Sequence, residues 1–361
     1  MLFKQLEDWK KRKFGRVITE EELARRTSPV WPYVYFDPGR PVDPKTVDDV
    51  LKGAIDIHIH GAPLGAWLPG RPPIVNTCIE ASYAGMKALV FKDHNTWTNN
   101  VAIVVQQMLE ILKEEKAKSG EDFTPVEVYG SIVLNETVGG LNPKAVEIAL
   151  GYGRCKEVWL PSLDAWFQRA AIALAKGQDP YSCREGIKVI DDKGNLLPEV
   201  IKILEIIDNY NRNSGDRCAF QTCHVSNEEK FAVLNYVKEA GLDVPVIFTH
   251  ITQELTLLTP EEAEEAIEKG AYVEFAECSC QPWGGMNDWI VAFDYSINLL
   301  KHLLDKYGPD HIILVSDAGQ PALSPIIRWK TFIRTLLAKG ISERDLNIML
   351  KEVPAKVLGI K

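Results

Sequence analysis

Asp56, His58 and His60 form an Asp-x-His-x-His run inside the apolar segment AIDIHIH (54–60). Side chains of a strand alternate between faces, so residues two apart share a face at a separation of about 6.6 Å. Two imidazoles at that spacing can converge on one metal ion. A single His-x-His carries little weight; its repetition at other strand ends carries more. The runs ALVFKDH, CAFQTCH and VPVIFTH end in His94, His224 and His250, and HIILVSD ends in Asp317. Five of the seven histidines therefore sit at or near the ends of short apolar runs, and only His302 and His311 read as structural or surface residues.

These runs alternate with helical patterns. Eight of them, AIDIHIH, ALVFKDH, VEVYGSIVLN, EVWLPS, CAFQTCH, VPVIFTH, AYVEFAEC and HIILVSD, are separated by amphipathic stretches such as NNVAIVVQQMLEILKEEKAK and LPEVIKILEIIDNYN. Eight strand–helix units predict an α/β chain folded as a (β/α)8 TIM barrel. An open doubly wound sheet is the runner-up, but no glycine-rich phosphate loop follows the first run. Barrel enzymes place their chemistry at the C-terminal strand ends, which is where the histidines and Asp317 fall.

Residues 1–50 read as an N-terminal helical and extended arm, containing the aromatic strip SPVWPYVYFDP, and residues 51–361 as the barrel with C-terminal helices. Such a strip needs a partner surface, the barrel body or a neighbouring subunit, which predicts a homo-oligomer; a substrate lid is the alternative. Between the fourth and fifth runs, GIKVIDDKGNLLPE reads as a short hairpin ahead of a helix. The tail ISERDLNIMLKEVPAKVLGI reads as a helical pair outside the barrel.

His-x-His on strand one, single histidines ending strands five and six, and an aspartate ending strand eight resemble the amidohydrolase superfamily of metal-dependent barrel hydrolases. The resemblance spans roughly residues 51–355, and LNETVGGLNPKAVE, SDAGQ and LKEVPAKVLGI are similar to a poorly characterised branch of it. It implies His58, His60, His224 and His250 as metal ligands, and Asp317 as a ligand that also accepts a proton from metal-bound water. His94 is either an additional ligand or a donor to substrate. Binuclear members of the superfamily carry a carboxylated lysine or a glutamate at the end of strand four, whereas this chain reads VWLPSLDA there. Lys92 stands as a substitute bridge or as an ammonium paired with Asp56 or Asp317; Glu136 and Glu277 are further oxygen donors.

The implied cofactor is one or two divalent ions, zinc first and manganese or iron as alternatives, since imidazole and carboxylate suit all three. Such an ion lowers the pKa of a bound water from about 15.7 towards about 7. Asp317 can then take its proton, while His250 or Lys92 polarises a carbonyl or stabilises an oxyanion. Asp56 is expected to orient a histidine or to pack beneath the site. Trp67, Trp97, Trp166, Trp283 and Trp289 in the loops suggest a flat-walled pocket for a small cyclic substrate: an amide, lactone, ester or activated ketone. A decarboxylase of aromatic or unsaturated acids is the alternative. Arg71, Arg169 and Arg184 are expected in surface ion pairs, with binding of a substrate carboxylate as the alternative, and Cys223, Cys278 and Cys280 in packing, with metal ligation as the alternative.

The balance of 41 basic against 50 acidic residues, net −9, argues against a nucleic-acid partner. No run of about 18 apolar residues is present, so no membrane partner is expected. Seven scattered cysteines suit a reducing cytoplasm.

Overall fold

In the computed structural model of the chain, residues 40–65, 70–179, 186–253, 255–280, 293–320 and 324–361 are described. Helix α1 (Pro44–Leu51) precedes eight strands: β1 (Ile55–Ile59), β2 (Ala88–Phe91), β3 (Glu127–Val133), β4 (Cys155–Trp159), β5 (Ala219–Gln221), β6 (Val246–Phe248), β7 (Tyr272–Ala276) and β8 (Ile312–Val315). They pair in sequence order, each neighbour parallel. A parallel bridge between Ile59 and Ala318 joins the two edges. Its bonds run from Asp317 N–H to the His58 carbonyl and from His60 N–H to the Ala318 carbonyl, each 2.8 Å. The sheet is thus the expected barrel and not an open doubly wound sheet.

Helices α2 (Ile74–Tyr83), α3 (Asn99–Lys118), α4 (Pro143–Tyr152), α5 (Trp166–Ala175) and α6 (Pro198–Asn213) cover the first half. After them come α7 (Asn227–Glu239), α8 (Pro260–Glu268), the short α9 (Glu277–Cys280), α10 (Phe293–Tyr307) and α11 (Pro325–Ala338). Local sequence explains several starts: Ser226 with Glu229 and Thr259 with Glu262 form capping boxes at α7 and α8. Between α5 and α6 the expected hairpin is reduced to one antiparallel bridge, Ile190 to Leu196.

The strand alternation splits the core in two. Ile55, Ile57, Ala88, Val90, Ala219, Ile247, Ile313 and Val315 fill the barrel, together with Val353, Val357 and Leu358 from the C-terminal helix (Val353–Leu358). Lys156, at the start of β4, donates to the Leu358 carbonyl at 2.8 Å, which places that helix under the strand starts. The tail therefore plugs the end of the barrel away from the histidines. The second cluster lies between sheet and helices and includes Ile59, Leu89, Phe91 and Trp329.

Strand β1 changes phase partway along. Ile55 pairs with Ala88 and Asp56 with Leu89, but Ile59 pairs with Phe91, so β1 carries one extra residue before Ile59. Ile55 and Ile57 face the interior before that bulge, and Ile59 faces the helices after it. Asp56 faces the helical layer, where its carboxylate accepts from Trp329 Nε1 at 2.7 Å and from Ser316 N–H at 3.1 Å. His58 and His60 face inwards. The expected common face of Asp56, His58 and His60 holds for the two histidines only.

Candidate metal centre

The five histidines named from the sequence form one buried group at the C-terminal mouth. Ring centroids are 5.5 Å apart for His58 and His60, 5.2 Å for His60 and His94, and 5.1 Å for His224 and His250. Asp317 Oδ1 lies 3.2 Å from His58 Nε2 and 3.1 Å from His60 Nε2. His58, His60 and Asp317 are the one group among the described residues with three donor atoms close enough together to hold an ion. His224 Nε2 and His250 Nε2 face each other at 3.2 Å beside it.

Hydrogen bonds on the far side of each ring fix which nitrogen is bare. His58 Nδ1 lies 2.8 Å from Glu274 Oε1. With Glu274 ionised, Nδ1 donates to it and Nε2 keeps a lone pair that faces Lys92 Nζ at 3.2 Å. Thr256 donates its hydroxyl to the His250 carbonyl and its oxygen faces His250 Nδ1, each at 2.8 Å, which again leaves Nε2 bare. His224 Nδ1 meets the Gln168 amide oxygen with the same result. Two bare nitrogens at 3.2 Å repel one another unless a cation lies between them. His60 Nδ1 is buried and has no hydrogen-bond partner among the described residues. Neutral imidazoles with converging lone pairs and an adjacent carboxylate fit a divalent transition ion.

Electrostatics keep these groups in ligating form. Burial pushes His58 and His250 down to about 3 and His60 to about 4, and lowers His94 and His224 well below the usual imidazole range. Burial alone would raise Asp317, but His58 and His60 hold its carboxyl well below the usual range. Backbone strain clusters here as well. Cys223, His250 and Asp317 have φ of 49°, 31° and 46°, the left-handed region that side chains avoid. Gly319 (φ 93°) follows Asp317 because a Cβ there would lie 1.9 Å from the His60 carbonyl oxygen.

Lys92 is buried among these histidines, with Nζ 3.2 Å from His58 Nε2 and 4.2 Å from the Trp159 ring centroid. The expected pairing with Asp56 does not occur, because the β1 bulge turns that carboxylate outwards. His94 Nδ1 meets Ser162 Oγ at 2.7 Å, and Asn135 donates to the same hydroxyl at 2.8 Å. Glu136 and Asp164 form ion pairs with Arg169, at 3.3 and 2.6 Å, on the rim. Glu277 lies beyond β7 in an ion pair with Arg328. Cys278 donates its thiol to Asp317 Oδ2 at 3.0 Å, and Cys223 is buried. Arg71 is buried and not on the surface; it donates to Gln320, three residues after Asp317, at 3.1 Å and lies in the field of Asp93. Trp97 and Trp166 pack against the body. Trp67, Trp283, Trp289 and Arg184 lie outside the described residues, as does the Cys280 side chain and the 1–39 part of the arm. His302 pairs with Glu264, and His311 stacks on Tyr272, as surface and structural roles require.

Sequence reading missed the polar layer beneath the ligands: Glu157, Trp159, Gln221 and Glu274. Gln221 Nε2 donates to Glu157 Oε1 at 2.8 Å and to Glu274 Oε2 at 3.2 Å. Burial pushes Glu274 up to about 7 and Glu157 well above its usual value. For Glu157, Gln221 and Glu274 a signal existed, namely a polar residue within an otherwise largely apolar strand.

The family described as a family of unknown function (DUF6282) matches residues 53–274. The sequence matches no curated protein. Several solved structures share the fold. An organophosphorus hydrolase from Deinococcus radiodurans superposes with TM-score 0.51 at 16% identity, over 85% of this chain and 92% of that one. An amidohydrolase from Pseudomonas aeruginosa gives 0.53 at 12%, over 88% and 98%. A probable 2-pyrone-4,6-dicarboxylic acid hydrolase from Acinetobacter baumannii gives 0.51 at 12%, over 85% and 100%. No helix among the described residues is long and apolar enough to cross a membrane.

Proposed function

This chain belongs to the DUF6282 family of unknown function, and we propose that it is a metal-dependent hydrolase of the amidohydrolase superfamily. One observation carries the proposal: bare imidazole nitrogens of His58, His224 and His250 converge with Asp317 at the barrel mouth. His58, His60 and Asp317 would hold one ion, and His224 and His250 would complete that site or hold a second ion. When bound, a zinc, manganese or iron ion supplies a nucleophilic hydroxide at neutral pH.

The chain's own groups do the rest. Asp317, ionised and turned into the mouth, accepts the proton of the attacking water and returns it to the leaving group. Lys92 offers a cation near the developing oxyanion, and His94, steadied by Ser162, donates to a substrate oxygen. Arg71 lies within the electrostatic reach of Asp317 and His94, and favours a substrate with anionic character. The stacked His60 and His94 rings offer flat faces, which suits a small cyclic amide, lactone, ester or activated ketone.

A second reading is metal-dependent decarboxylation of an aromatic or unsaturated acid. Trp159 supports it, since an indole ends β4 where a bridge between two ions would need an anionic side chain. Metal analysis and a panel of lactones, cyclic imides and aromatic carboxylates test both. Ring opening supports hydrolysis, carbon dioxide release supports the lyase, and full activity without metal overturns both.

A further inference from the structure

Glu274 reaches three other strands from the middle of β7. Its Oε1 accepts from His58 Nδ1–H at 2.8 Å and from the His250 backbone N–H at 3.1 Å. Its Oε2 accepts from Gln221 Nε2 at 3.2 Å. Gln221 is itself held, its amide oxygen accepting from Thr249 Oγ1 at 2.8 Å and its amide nitrogen donating to Glu157. All of these side chains are buried beneath the ligands.

Resting on the metal-site reading above, we propose that Glu274 is a positioning residue that holds the two halves of the site in mutual register. It fixes the proton of His58 on Nδ1, so that Nε2 presents its lone pair to the ion. The same oxygen anchors the backbone of His250, whose φ of 31° is unfavourable and whose buried N–H would otherwise lose its acceptor. One carboxylate thus sets the tautomer of a β1 ligand and the backbone of the ligand that follows β6. A residue that merely packed the barrel would touch stability and leave affinity for the ion alone.

The substitution Glu274→Gln separates these roles. It keeps an acceptor for His58 and His250 but sets its amide nitrogen against that of Gln221, donor against donor. Partners that orient metal-binding histidines typically contribute 10- to 100-fold in affinity. Co²⁺ titration of the metal-stripped full chain, followed by visible absorption, should show that loss and an altered spectrum for Glu274→Gln. Glu229→Gln serves as a control, because Glu229 is buried and its carboxylate accepts from Ser226 and Val189 and not from any of the five histidines; it should lower stability and leave Co²⁺ affinity unchanged. Wild-type affinity and spectrum in Glu274→Gln would overturn the proposal. Failure of the wild-type chain to bind Co²⁺ would instead overturn the metal-site reading itself. Should Glu274→Gln not fold, ¹⁵N–¹H spectra of histidine side chains in the wild type decide. A proton on His58 Nδ1 supports the proposal, and one on Nε2 overturns it.

Discussion

His224 Nε2 lies 3.2 Å from His250 Nε2, and the partners of both rings place their protons on the opposite nitrogen. Two nitrogens so placed either share a proton or hold a cation between them, and the partners on the opposite nitrogens favour the cation. Protein purified without chelator should therefore carry close to one or two equivalents of zinc, manganese or iron by elemental analysis. The double variant His58→Asn/His60→Asn should lose most of it. An active wild-type preparation free of metal would exclude the site.

Asp317 sits at φ 46°, a conformation that Asn tolerates as well as Asp. Asp317→Asn therefore preserves backbone and shape while removing basicity. The expected rate loss is about 10²–10⁴-fold, the scale of general acid–base catalysis, with the fold intact by circular dichroism. Activity within a few-fold of wild type, with metal retained, would move the proton to another acceptor such as His94.

Lys92 Nζ lies 3.2 Å from His58 Nε2, the lone pair that an ion would use. As an ammonium, steadied by the Trp159 face, it competes electrostatically with a divalent cation. Lys92→Met should bind Co²⁺ more tightly, on the order of tenfold, and turn over more slowly. Weaker binding would identify the nitrogen as part of the ligand set, as a carboxylated lysine would be.

Glu277 is raised by burial to about 7, despite its ion pair with Arg328. Between the ordinary carboxylate value and about 7 the native state holds a proton that the unfolded chain has released. Stability from this group is therefore present at low pH and lost as pH rises through about 7. Glu277→Gln lacks that dependence. Its stability relative to wild type should improve by about 3 kcal/mol between pH 4.5 and 7.5, measured by urea denaturation in chelator. Parallel pH curves for the two proteins would refute the shift.

The eight-fold alternation of apolar runs and helices was legible in the sequence because strand and helix periods differ and each local pattern repeats. The residues at the mouth were legible for the same reason, since His94, His224, His250 and Asp317 each follow an apolar run by two or three residues. Asp56 was not. One extra residue in β1 inverts its phase relative to His58, and a bulge is set by pairing with β2, not by local alternation. Glu274 was passed over in favour of Glu277, because only the end of β7 at Ala276 shows that Glu277 has left the strand for Arg328. Lys92, Trp159 and Glu274 meet His58 from three different strands. Sequence determined where the strands lie and most of their alternation, while pairing with β2 set the break of phase in β1. Barrel closure alone decided which side chains meet, because contacts across a closed sheet depend on register and shear among strands far apart in the chain.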